Sequence, residues 1–458
     1  MKNRLRLLLT FLIVSMAIAS VPAMAESPST SVRSFGAKGD GKTDDTAAIQ
    51  QAIDACASGG GGTVTLPAGT YLCRPIFLKS NITLHLDPGS VVLGSKNFDD
   101  YPVIQGRWEG IEREHKAALI TGIGLENIAV EGHGVINGQG EVWWSDYKKF
   151  FKLSESLTAN PTTPPAGVSV QDIQRYKYPR PRLVNLINCR NIVIRDVKLV
   201  NSPSWTLHLA YCENIVADGL TLEAPEDSPN TDGVDLDSCR LARVSNCYMS
   251  LGDDCVVIKS GKGPDGRRVG KPCENITVTN CTMGKGHGGV VIGSEMSGGV
   301  RNVAVSNCVF DGTQRGIRIK TCRGRGGTVE NISYSNLVMR GMQKEAISIT
   351  MVYEGKVDHA KPEPVTEATP TLRNISISNI RADGASDALV CEGLPEMPVT
   401  GVSMSNVRIN AKRGMRWISA KDIDLQNVQV TCSDGPTMQR TNTQEFRISK
   451  PGPAEENK

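Results

Sequence analysis

Residues 189–246 read CRNIVIRDVKLVNSPSWTLHLAYCENIVADGLTLEAPEDSPNTDGVDLDSCRLARVSN, and one short frame returns within them. CRNIVIRD at Cys189 and CENIVADG at Cys212 share the order x-Asn-Ile-x-apolar, and CRLARVSN at Cys239 is a degenerate copy. Toward the N-terminus the frame appears as LENIAVEG at Leu125. Toward the C-terminus it appears as CENITVTN at Cys273, VRNVAVSN at Val300, VENISYSN at Val329 and LRNISISN at Leu372, with later copies beginning at Val399 and Ala420. From Cys189 onward the spacings are 23, 27, 34, 27, 29, 43, 27 and 21 residues. A short minimum period, alternating β-branched residues and Asn or Gly at the breaks describe a coil of short strands joined by tight turns. The expected fold is all-β: a single-domain right-handed parallel β-helix, a solenoid whose coils stack at roughly 4.8 Å and bury their Ile, Val and Leu inside. The longer spacings are loops inserted at turns.

At roughly 150 residues per domain, 458 residues would suggest about three domains, but a repeat architecture runs long as one unit. With 39% hydrophobic and 22% charged residues the chain can bury a core, which excludes wholesale disorder. The net charge of +3 arises from 51 basic and 48 acidic residues, and Lys2, Arg4 and Arg6 lie in an opening stretch that contains no acid. The remainder is balanced, so nothing supports nucleic-acid binding through a broad basic field.

That opening stretch reads as a secretory signal: a basic start, an apolar run from Leu7 to Ala19 and the small-x-small ending Ala23-Met24-Ala25. Cleavage is expected after Ala25, giving a secreted or periplasmic protein without a membrane span. Export permits disulfides, but Cys189, Cys212, Cys239 and Cys273 recur at one coil position, and Cys247, Cys281 and Cys308 at another. The recurrence predicts stacked free thiols, with Cys56 and Cys73 left open as a pair. Asn at one turn position can form a hydrogen-bonded ladder, a role that also accounts for the Asn-x-Ser/Thr triplets at Asn275, Asn331 and Asn374.

The open end of a solenoid needs a cap. TDDTAAIQQAIDACA, residues 43–57, offers Asp44 or Asp45 as an N-cap and places Ile49, Ala52, Ile53 and Cys56 on one face, predicting a capping helix over about 44–57. The expected division is signal 1–25, β-helix 26–436 and a polar tail 437–458. An insertion at 137–182 carries Trp143, Trp144, Tyr147, Phe150 and Phe151.

The strands preceding each repeat align as RLVNLINC, WTLHLAYC, DGVDLDSC, DCVVIKSG, GGVVIGSE, RGIRIKTC and EAISITMV. Val184, Leu207, Val234, Val256, Val290, Ile317 and Ile347 point inward in this register. Asp232 and Asp254 then share one column, Asp253 and His287 the next, and Arg318 and Lys320 project outward two coils beyond Asp254. Simple parity turns Asp232 inward, so a turn at Gly233 is required. The ionisable groups are expected to meet on one exposed face. Stacked carboxylates repel unless a cation or shared proton relieves them. Such a set suits glycosidic hydrolysis, in which one protonated carboxyl serves the leaving oxygen and another group draws a proton from water. Adjacent Arg and Lys suit an acidic sugar.

NTDG at Asn230, GDDC at Gly252, GHG at Gly286 and RIK at Arg318, in that order on successive coils, resemble the four signatures of the polygalacturonases, glycoside hydrolase family 28. FGAKGDGKTDDTAAIQQAI near the N-terminus also resembles the pectin-acting β-helix enzymes generally. The resemblance implies inverting hydrolysis of α-1,4 galacturonosyl links in an acidic polysaccharide or oligosaccharide, with no metal and no cofactor. It implies Asp253 as general acid, Asp232 and Asp254 as the groups that position and deprotonate water, and His287 as the residue tuning the acid. Arg318 and Lys320 would bind the galacturonate carboxylate, Asn230 would assist, and Tyr353 resembles a substrate-contacting tyrosine. Lys259 and Glu295 reach the same face without an assigned role.

A rhamnogalacturonan-acting hydrolase of the same family is the near alternative. A Ca²⁺-dependent pectate lyase and a non-catalytic carbohydrate-binding β-helix are the distant ones. Exo attack from the non-reducing end is expected, because the 137–182 insertion could wall off one end of the cleft and IGSEMSGG after His287 resembles exo-acting members.

Overall fold

The computed structural model describes residues 29–149, 179–353 and 355–449. The expected signal peptide, Phe150, Phe151 and residues 450–458 lie outside the described residues. Most strands join one 29-stranded sheet whose pairings are parallel, each strand lying beside its counterpart one coil away.

The frame read from the sequence is the frame of the coils. Val184 pairs with Leu207, Leu207 with Val234, Val234 with Val256, Val256 with Val290, Val290 with Ile317 and Ile317 with Ile347, all of them fully buried. Asn at the corners accepts the left-handed backbone that a tight turn demands, with φ of 54° at Asn127, 55° at Asn191 and 54° at Asn214. Each amide also donates to the Asn one coil back, Asn191 to Asn127 at 2.8 Å and Asn214 to Asn191 at 2.9 Å. Asn275, Asn302, Asn331 and Asn374 form a second such ladder. The cysteines are all free, Cys56 and Cys73 included, and every one but Cys432 is buried.

The cap is the helix Thr46–Ser58, which buries Ile49, Ala52, Ile53 and Cys56. Both of the expected acids stand at its start, with different partners. Asp45 occupies the cap position, but its carboxylate accepts from the Lys38 and Gly39 amides at 2.6 and 2.9 Å, while Asp44 accepts from the Thr46 amide at 3.1 Å. The acid that caps is thus one residue upstream.

The expected polar tail from 437 is corrected as far as Ser449, because the strand beginning at Val399 runs to that residue. Phe446 meets Trp417 edge-on with centroids 5.5 Å apart, and Arg447 reaches Asp422 at 2.9 Å. A terminal coil has no following coil to cover it, so its exposed positions are polar and the apolar alternation fades from the sequence.

Two excursions leave the coils before the first of the aligned strands. One is an antiparallel hairpin, Val103–Trp108 with Ile111–Lys116. The other begins after Asn137 with a helix over 141–149 and returns through Arg180 and Arg182.

Candidate active site

A bend precedes each aligned strand and turns the side chains before it toward one side of the sheet. Gly233 makes the bend on which Asp232 depends. Its amide donates to the Asp254 carbonyl at 3.0 Å, and a Cβ there would lie 2.3 Å from the Cys255 carbonyl oxygen, so only glycine allows the two coils to approach. One coil on, the His287 amide donates to the Asp253 carbonyl at 3.1 Å, placing these residues side by side.

Oxygens of Asp232, Asp253 and Asp254 lie within 4.8 Å of one another. Asp232, Asp253, Asp254, His287, Asn230, Arg318, Lys320 and Tyr353 all line one cleft of about 230 Å³, together with Lys259 and Glu295. All eight residues singled out from the sequence are therefore brought together. The expectation of an exposed face is corrected: Asp232, Asp254, Arg318 and Lys320 are buried, and His287, at 41% side-chain exposure, is the open member. The charged side chains cover one another: Arg318 and Lys320 close on Asp254, and Lys259 lies 3.7 Å from Asp232.

The three carboxyls sit in different fields. Burial opposes ionisation of Asp254, but Lys320 at 2.8 Å and Arg318 at 3.1 Å each take one of its oxygens and hold its pKa far below the usual range. Burial, reinforced by Asp253 and Asp235, keeps Asp232 protonated well above that range, against the pull of Lys259 at 3.7 Å. Asp253 accepts from or donates to His287 Nδ1 at 2.8 Å, and its Oδ1 also receives the Asp254 amide at 2.9 Å. A carboxylate that two cations hold in its anionic form thus stands beside a carboxyl whose ionisation burial opposes. A third is hydrogen-bonded to an imidazole facing solvent.

Arg318 and Lys320 were expected to be free for a sugar carboxylate, and here they grip Asp254. The Tyr353 ring, 40% exposed, lies over both cations at 5.7 and 5.1 Å from its centroid. Asn230, in left-handed backbone with φ of 54°, accepts from Arg180 Nη2 at 2.8 Å.

The hairpin flanks the cleft, with Glu109 in its lining. Asn185, His208 and Asp235 occupy the register position that Arg318 holds farther along, yet each is fully buried. Arg107 pairs with Asp237 at 2.7 Å, and the Arg182 guanidinium lies against both Trp108 and Trp205, 4.5 and 5.0 Å from their ring centroids, and donates to the Arg107 carbonyl at 2.7 Å. Of the 137–182 insertion expected to wall off one end of the cleft, residues 150–178 lie outside the described residues. Trp143 packs on Phe98 and Tyr101, and Trp144 donates to the Ser202 carbonyl at 3.0 Å, so both brace the coil. Among the described aromatics of this loop, Tyr147, under the Arg180 guanidinium at 4.0 Å, comes near the carboxyls.

Residues 168–449 match the family described as Glycosyl hydrolases family 28, and residues 29–144 match Rhamnogalacturonase A/epimerase, pectate lyase-like. The chain belongs to glycosyl hydrolases family 28. A probable polygalacturonase of Vitis vinifera is 34% identical over 417 residues, 89% of this chain and 77% of that one. An endo-polygalacturonase of Pectobacterium carotovorum subsp. carotovorum is 31% identical over 69% of this chain and 74% of its own. The crystal structure of a hyperthermoactive exopolygalacturonase from Thermotoga maritima superposes with a TM-score of 0.73 at 32% identity, covering 88% of this chain and 93% of that one.

Within this family 28 chain, sequence reading missed Glu109, Trp205 and Arg180, which line or adjoin the cleft. A signal for the first was present: VIQGRW and IEREHK flank Glu109-Gly110, a turn pair between two extended runs. Among the described residues no helix is long and apolar enough to cross a membrane.

Proposed function

We propose that this hydrolase cleaves α-1,4 galacturonosyl links of pectin-type galacturonan outside the cytoplasm, removing residues from the non-reducing end. The polygalacturonases it resembles support the substrate class. The observation that supports this mode of attack is the hairpin packed on Trp205, Asp237 and Ser238, beside Asn185, His208 and Asp235, whose full burial leaves them unavailable to further sugars on that side of the carboxyls.

In this reading one proton is shared by Asp232 and Asp253. Placed on Asp253, it passes to the glycosidic oxygen as the anomeric C–O bond breaks, and it leaves Asp232 free to take a proton from the attacking water. Asp254, fixed as an anion by Arg318 and Lys320, orients that water. His287 holds the acid in place. Tyr353 and the outer faces of the two cations receive the uronate.

Rhamnogalacturonan is the second substrate to test, favoured by the match of residues 29–144. Product analysis on both polymers, with Asp253→Asn alongside, decides between them. Reducing sugar should appear from polygalacturonate and fall by a factor on the order of 10² to 10⁴ in the variant. Release from rhamnogalacturonan alone would favour the second substrate, and undiminished activity in the variant would remove Asp253 from the mechanism.

A further inference from the structure

The hairpin does more than obstruct, because its turn delivers a carboxylate into the cleft. Glu109 sits at the tip in left-handed backbone, with φ of 46°, followed by Gly110 at 79°. The tip is wedged on both sides. Trp108 lies flat on Trp205, with centroids 5.9 Å apart and planes 7° from parallel. On the other side the Gly110 carbonyl accepts from the Lys262 amide at 2.8 Å, and a Cβ on Gly110 would come within 2.7 Å of that nitrogen and 2.9 Å of Glu295 Cγ. Glu109 lines the cleft beside Asn230, Asp232 and Asp253, and no hydrogen bond ties its carboxylate to another described residue. Its charge is felt by Arg180 and Tyr147, which lie against each other at 4.0 Å.

A rigidly presented carboxylate is an unexpected lining for a site that takes a polyanion. It repels uronate groups and accepts hydrogen bonds from hydroxyls. At the blind end of an α-1,4-linked chain one group separates a terminal residue from an internal one: the hydroxyl at C4, which in every internal residue carries the next sugar. In galacturonate the C3 hydroxyl lies beside it, so the two oxygens of one carboxylate can accept from both.

We propose that Glu109 is the specificity-determining residue for the chain end, reading the free C4 and C3 hydroxyls of the non-reducing terminal galacturonate. Arg180, next to it, offsets the repulsion between Glu109 and that sugar's own carboxylate. The inference rests on the exo reading above and adds a discrimination that a blind cleft alone does not supply. A galacturonan end left by β-elimination carries a 4,5-double bond and has no C4 hydroxyl, so a purely steric wall would accept it and Glu109 would not.

The test uses two trigalacturonates labelled at the reducing end, one with a saturated and one with a 4,5-unsaturated non-reducing residue. The wild type should favour the saturated trimer in kcat/KM by on the order of 10²-fold or more, as sites built around a substrate hydroxyl do. Glu109→Ala should lose most of its activity on the saturated trimer, with the unsaturated one changed only a few-fold, so that the preference collapses. Glu109→Gln, which keeps the shape and one acceptor, should fall between. A wild type without the preference, or variants that retain it in full, would overturn the role of Glu109. If the wild type instead removes residues from the labelled end or cuts internally, the label pattern shows it directly, and the exo reading fails before Glu109 is tested.

Discussion

Lys320 Nζ lies 2.8 Å from Asp254 Oδ2, two coils away along the sheet, and Arg318 completes the grip on the other oxygen at 3.1 Å. A lysine expected to read substrate charge is therefore also the counter-ion of a site carboxylate. Because both partners are buried, removing one leaves an uncompensated charge.

Lys320→Ala should accordingly lower kcat as well as raise KM, and should move the acid limb of the pH–rate profile upward as Asp254 regains an ordinary carboxyl pKa. The measurement is kcat and kcat/KM against pH on trigalacturonate. A rise in KM with kcat and the acid limb unchanged would mean that Lys320 serves the sugar alone.

Stability should depend on pH through two buried carboxyls of opposite sign. Burial opposes ionisation of Asp237, but Arg107 and His208 bring its pKa down from 3.8 to about 2. Its contribution of about 2 to 3 kcal/mol is present above pH ~4 and lost as pH falls toward 2. Burial raises Asp235 from 3.8 to about 7 despite Lys259, so the folded state keeps a proton there that the unfolded chain releases. Between these values its contribution to stability falls as pH rises, and it levels off above the upper one. Buried His115 and His208, each lowered from 6.5 to about 3, act in the opposite sense over that range, because the unfolded chain binds protons there that the folded state does not. Calorimetry of wild type and Asp235→Asn from pH 2 to 8 should show a melting temperature that climbs from pH 2 to about 4 in both, with a slope between pH 4 and 7 that is more positive in the variant. An unchanged slope in that variant would assign the pH dependence to other groups.

The carboxyl oxygens stand closer together than the roughly 6.5–9.5 Å usual between the acid and base of an inverting glycosidase. Proximity alone would suggest a covalent intermediate. Both oxygens of Asp254 are engaged by cations, however, and Asp232, once the shared proton is on Asp253, acts as base on the attacking water in the proposed mechanism. Direct attack by water should therefore give β-galacturonate as the first product from an α-link. Proton NMR during the first turnovers checks this, and initial α-anomer would establish retention.

The coil was legible because every turn of it must satisfy the same two demands, apolar residues inward and Asn or Gly at the corners. Repetition made Val234, Val256 and Val290 readable as one column, and with them the positions of Asp232, Asp253, Asp254 and His287. The covering loops repeat nothing. Trp143 gave no indication that it would pack under Tyr101, and Arg107 could not be matched to Asp237, 130 residues away. Glu109 was hidden for the same reason, since a single excursion has no second copy to align with. The last strand escaped because its exposed positions lack the alternation that marks the others.

Time-resolved viscosity and product analysis on polygalacturonate tests the closed cleft most directly. With the hairpin packed on Trp205 and Asp237, beside the buried Asn185, His208 and Asp235, monogalacturonate should be the sole early product while viscosity stays nearly constant. A collapse in viscosity while few reducing ends have appeared would mean that chains pass through the cleft, and would contradict the account.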